Sequence, residues 1–199
     1  MIRTLLRPFD RHAASTRPRV DFTAYAADCR VAGHVLLTES RLSDMLNRRG
    51  RLVVTDAVVT SYVGTPDLHL TDLSLYRDDL FAVLLTGPRG DQQKRRATEA
   101  MALGIKLGPY LVRGHIHVTP GADPVAAFKH GHEMIALTDG WILRADGADG
   151  TGAQKVRVSA LLVNRLLAEW VTPATVEDTE DADDRGDEGR SEAWGESAV

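Results

Sequence analysis

Residues Val31–Asp56 read VAGHVLLTESRLSDMLNRRGRLVVTD, and residues Val112–Asp139 read VRGHIHVTPGADPVAAFKHGHEMIALTD. Gly33-His34 returns as Gly114-His115 and Gly50 as Gly131, each 81 positions on; Thr55-Asp56 returns as Thr138-Asp139, 83 positions on. The second stretch is thus two residues longer around His132-Glu133. A pattern that recurs at fixed spacing predicts a fold built twice.

Each stretch carries the same signals in the same order. Val31, Gly33, Val35 and Leu37 alternate with polar or smaller residues, which predicts a strand with a glycine on its core face. Leu42, Met45 and Leu46 lie at i, i+3 and i+4, a helical stripe, with Ser40 as the expected N-cap and Gly50 as a left-handed C-cap. In the second stretch Asp123 caps, Pro124 opens the helix, Val125 and Phe128 form the stripe, and Gly131 follows its end. RLVVTDAVVTSYV and Met134–Ile142 read as β-strands, with Asp56 marking a bulge or kink in the first.

Outward from these stretches, strands are expected at Val20–Ala26, at Leu68–Leu75, at Leu80–Leu85 and around Met101–Leu107. Gly64–Asp67 and Gly108-Pro109 are turn signals. Val156–Val171 reads as a strand followed by a closing helix. The fold class is α+β and β-rich: two tandem pseudo-repeats of antiparallel sheet or partly open barrel, with one short helix per repeat. The expected division is a mobile basic arm over 1–19, repeat units over 20–86 and 96–172 joined by a linker loop over 87–95, and a disordered acidic tail over 173–199.

Composition limits function. Hydrophobic residues are 43% and charged residues 26%, as in a soluble globular chain. No apolar run approaches the roughly 20 residues of a membrane-spanning helix. A single cysteine, Cys29, leaves no internal disulfide and suits the reducing cytoplasm; it reads as a small buried strand residue. The net charge of −4 conceals opposed ends. Residues 1–19 hold five Arg and one Asp, and residues 176–199 hold ten acidic residues and two Arg, a pairing in which the tail can shield the arm.

One histidine cluster has metal-like spacing. His115-x-His117 puts two imidazoles on one strand face, and His130-x-His132 with Glu133 follows the second helix, a donor set that suits a divalent metal such as Zn, Ni or Fe. The first stretch carries Leu36 in place of His117, so such a site belongs to the second unit alone. Arg89, Lys94, Arg95 and Arg96 form a basic loop able to touch nucleic-acid phosphates, but no aromatic interleaving accompanies it. Trp194 stands alone in the acidic tail, as a docking motif for a protein partner would. Residues common to both stretches are those a backbone needs, and they include no nucleophile with its base. The leading expectation is a non-catalytic protein-interaction or regulatory module. The alternatives are a small-ligand or metal-binding protein using the histidines, and a weak nucleic-acid binder using the arm and the loop.

The strings Arg41-Leu42-Ser43-Asp44-Met45-Leu46-Asn47 and Leu137-Thr138-Asp139 resemble a group of bacterial small β-rich domains with an RLSDLLN … LTDA pattern, sometimes in tandem. The first stretch keeps the helix motif and has Val54-Thr55-Asp56-Ala57; the second has Asp123-Pro124-Val125-Ala126-Ala127-Phe128 in place of the helix motif. The resemblance spans roughly residues 20–171. It implies the architecture and no catalytic residue.

Overall fold

A computed structural model describes residues 17–88, 97–144 and 154–174. They form one ten-stranded antiparallel sheet with two short helices, the β-rich class expected. The first half contributes β1 (Arg19–Tyr25), β2 (Cys29–Leu36), α1 (Leu42–Arg48), β3 (Arg51–Ser61), β4 (Leu68–Tyr76), a 3-10 turn (Arg77–Asp79) and β5 (Ala82–Leu84). The second contributes β6 (Glu99–Leu107), β7 (Tyr110–Val118), α2 (Pro124–His130), β8 (Met134–Arg144), β9 (Gln154–Asn164), a 3-10 turn (Arg165–Leu167) and β10 (Ala168–Pro173).

The strands lie in the order β10-β6-β7-β8-β9-β5-β1-β2-β3-β4. Within each half the last strand lies beside the first, and the first four follow in sequence. The halves join where β9 pairs antiparallel with β5: Ala82 opposite Val163, Val83 opposite Leu162, Leu84 opposite Leu161. They therefore share one sheet.

The apolar side chains gather in two clusters. Val20, Phe22 and Ala24 of β1 join Leu42, Met45 and Leu46 of α1 in the first; Leu103, Ile105 and Leu107 of β6 join Phe128 of α2 in the second. The central strands feed both. Val83 and Leu162 enter the first cluster, while Ala82, Leu161 and Val163 enter the second. Alternate residues of a strand point to opposite faces, so the clusters cover opposite faces at the joint. That is why Leu161-Leu162-Val163 runs without alternation: a strand buried on both faces needs no polar side.

Thr55-Asp56 and Thr138-Asp139 mark matching irregularities. Asp56 and Asp139 have φ of 48° and 47°, and the β2–β3 and β7–β8 ladders shift register beside them. Aspartate is among the few residues that visit this left-handed region. Gly33 is required at the first shift, because an added Cβ would stand 2.8 Å from the Thr55 carbonyl oxygen and 2.6 Å from Val54 Cγ1. At the second, a Cβ on Gly114 would stand 3.0 Å from Leu137 Cβ.

Several local expectations are corrected. Arg41, not Ser40, occupies the N-cap of α1 and makes no side-chain capping bond; Ser40 Oγ instead donates to Asp44 Oδ2 at 3.0 Å. Gly50 and Gly131 do not adopt left-handed caps: α1 ends on Arg49 in extended conformation, and Gly131 has φ of −73°. The chain leaves each helix straight into the next strand, so no reversal is needed. Asp123 caps α2 as expected, accepting from the Val125 N–H at 3.0 Å with Pro124 following. The expected closing helix is a 3-10 turn and then β10, because Ala168–Pro173 find the open edge of β6 to pair with. Cys29 is only partly buried, at the start of β2.

Candidate functional site

The β7–β8 ladder stops at His115 opposite Thr138. Beyond it the strands part, and Ile116–Val118 and Met134–Leu137 are not paired with each other. Helix α1 of the first half lies across the gap. Asn47, in its last turn, binds the Met134 backbone in both directions: Nδ2 donates to the carbonyl at 3.0 Å and Oδ1 accepts from the N–H at 2.9 Å. Arg77 of the first half pairs with Glu133 of the second and donates to the Leu46 carbonyl at 3.5 Å. These bonds hold α1 at a set height over β8.

Between helix and strands runs a groove of about 830 Å³. Ser43, Asp44 and Asn47 of α1 face Ile116, His117 and Val118 of β7 and the exposed Ala136 of β8 across it; Arg41 and Arg48, Glu39 and His132 stand at its margins. A second cavity of about 390 Å³ shares Arg41, Ser43, His117 and Ala136 with it and extends to Thr138, Asp139 and Ser159. The two make one trough with walls from both halves.

The Arg and acidic side chains of the main groove are matched locally. Arg41 forks onto Asp44 through Nε at 2.9 Å and Nη2 at 3.1 Å. These bonds hold the Asp44 carboxyl below the usual carboxylate range. Arg48 pairs with Glu39 at 3.1 Å. His117 Nε2 and Thr138 Oγ1 are hydrogen-bonded at 2.9 Å. The trough is thus polar, with an apolar floor and no large unbalanced charge, a lining that suits an amphipathic ligand.

The expected histidine cluster is dispersed. His115 lies opposite Thr138, His117 lines the trough, His130 ends α2, His132 is at the margin, and Glu133 turns to Arg77. Among the described residues no three of His, Cys, Asp or Glu gather so as to hold a metal ion. Arg89, Lys94, Arg95, Arg96 and Trp194 lie outside the described residues. Asn47, Arg77 and Ala136 escape sequence reasoning, since what distinguishes them is a contact with the other half of the molecule.

The aromatic residues answer to packing. Tyr110 meets Tyr25 edge-on with ring centroids 5.8 Å apart and Phe81 at 5.7 Å, and its hydroxyl donates to the Ala26 carbonyl at 2.6 Å. Burial pushes its pKa far up, so it stays protonated. Burial, and then Asp28, raise the Cys29 thiol as well, which leaves it a poor nucleophile at neutral pH.

No helix among the described residues is long and apolar enough to cross a membrane. No family model, no curated protein and no solved structure matches the chain.

Proposed function

We propose that the protein is a non-catalytic interaction module, made by duplication of one β-rich unit, that holds an extended segment of a protein partner in the trough between α1 and β7–β8. The observation that carries this reading is the trough itself, about 830 Å³ in its main part and continued by about 390 Å³, with walls from both halves. Two adjoining cavities that share Arg41, Ser43, His117 and Ala136 give room for several residues of a chain. Apart from Met134, which Asn47 holds, the parted ends of β7 and β8 place strand backbone along it that their own ladder does not use, and extended peptides are commonly held by such main-chain groups.

Duplication is supported by the order of elements and pairings. Each half runs strand, strand, helix, strand, strand, 3-10 turn, strand, with the same neighbours in the sheet. The function of doubling is then plain: one unit has no α1 from a neighbour to roof its parted strands. A reducing compartment, the cytoplasm, suits a chain whose only cysteine is Cys29.

The test is selection of dodecapeptides from a random library on the immobilised full chain. Selected peptides should bind the Ala136→Arg variant about tenfold more weakly or worse, since a large side chain then fills the floor. They should bind Val63→Ser, altered in the exposed β3–β4 turn, unchanged. No enrichment, or peptides indifferent to Ala136→Arg, overturns the reading.

A further inference from the structure

The β9–β5 joint has two sides, and each half of the molecule owns a copy of both. One side is a fifth strand, β5; the matching strand of the second half is β10, at one edge of the sheet. The other side is a fourth strand, β9; the matching strand of the first half is β4, at the opposite edge. The chain therefore ends its sheet in the two unused halves of a joint it already makes once. This argument rests on the equivalence of the two units.

The register follows from the pairings. Thr55 opposite Asp72 matches Thr138 opposite Ala160, so Leu73, Ser74 and Leu75 stand for Leu161, Leu162 and Val163. Phe22 opposite Gly33 matches Leu103 opposite Gly114, which equates Ala24 with Ile105 and hence Val83 with Val171. We propose that copies of this chain associate head to tail, β4 of one copy pairing antiparallel with β10 of the next. Leu75 then lies opposite Trp170, Ser74 opposite Val171, and Leu73 opposite Thr172.

The distribution of exposed apolar side chains supports this. Seven large ones stand exposed among the described residues; Val63 and Leu68 lie at the β3–β4 turn, and the other five lie towards the unused halves. Tyr76 is on β4, Val53 on β3 beside it and Leu36 at the end of β2, one strand further in; Leu166 and Trp170 are in or just before β10, and these five are 48% to 57% exposed. Several occupy positions that are small or polar in the internal joint: Trp170 for Ala82, Tyr76 for Asn164, Val53 for Ala136. An exposed edge with apolar side chains is a template for another strand.

Two differences make the outer joint weaker than the inner one. Pro173 stands where Leu85 donates its N–H to the Ala160 carbonyl at 3.1 Å, and proline has no N–H to give. Glu133, which pairs with Arg77 at the inner joint, lies in the two-residue insertion and has no counterpart in the first half, so the outer contact depends more on apolar burial. The association is reversible and heterologous, and it closes into a ring or continues as a filament according to its rotation.

Sedimentation velocity of the full chain at about 100 µM, where a micromolar association is essentially complete, gives the first readout. Species heavier than the 21.7 kDa chain are expected, with Trp170→Glu returning them to single chains at unchanged circular dichroism. For the second, one population carries Ser74→Cys and another Val171→Cys, both with Cys29→Ser. Mixed and oxidised, they should form a disulfide-linked dimer, whereas Val63→Cys with Val171→Cys should not. A single 21.7 kDa species at that concentration overturns the proposal. So does an assembly that gives no Ser74–Val171 cross-link, whatever Trp170→Glu does to folding.

Discussion

At the scale of single residues, the informative side chains are those that reach between halves. Asn47 satisfies both main-chain groups of Met134, a buried residue at the start of β8. Truncation leaves a donor and an acceptor without partners, each costing about 1–3 kcal/mol. Asn47→Ala is therefore expected to lower stability by about 2–4 kcal/mol in urea unfolding, and Asn47→Leu no less. Asp44 supplies a smaller, pH-dependent contribution. Its carboxyl is held below the usual range by hydrogen bonding from Arg41. Stability from this pair is accordingly complete above the ordinary aspartate pKa and is lost as pH falls through the depressed one. The pair is partly exposed, so the effect is about 0.5 kcal/mol. Asp44→Asn should remove it at neutral pH and flatten the acid limb of a stability-against-pH curve; an unchanged acid limb would refute the assignment.

At the scale of elements, the two helices have the same length and different supports. Helix α2 begins with a capping aspartate and a proline, both readable in the sequence, and its Phe128 is buried. Asp123→Ala should cost about 1 kcal/mol, the usual value for a lost cap. Helix α1 lacks a capping bond at Arg41 and depends on three buried residues, Leu42, Met45 and Leu46. Ser40→Ala should then cost a few tenths of a kcal/mol at most, well below a cap loss. Equilibrium denaturation of the two variants checks the contrast. The segment read as a closing helix shows the opposite limit. Leu161 to Trp170 is dense in apolar residues, and a short apolar run suits a buried strand and a buried helix equally. Pairing with β6 decided it.

At the scale of the molecule, the two halves share their apolar clusters. Leu162 and Met134 of the second half enter the first cluster; Tyr25 and Ala82 of the first half enter the second. Denaturation is expected as one transition, with Trp141 fluorescence on β8, read in a Trp170→Phe, Trp194→Phe chain, and amide exchange on β2 reporting the same midpoint. Leu162→Ala removes a fully buried side chain at the joint, which costs about 2–5 kcal/mol. It should lower both midpoints together. Separate midpoints, or a shift in only one, would show two domains that merely touch.

The sequence by itself determined the elements that local chemistry dictates: the alternating strands, the two helical stripes, the Asp123 cap, and the bulge at Thr55-Asp56. It also made the recurrence of these signals visible, because repeated local needs leave repeated residues. It could not show that β9 and β5 merge the halves into one sheet, that Asn47 and Arg77 bind the other half, or that His115, His117, His130 and His132 fail to converge with Glu133. Those outcomes depend on which residues distant in the chain come to face one another. Only tertiary packing decides that, since spacing along a strand or helix carries no information about what lies across from it.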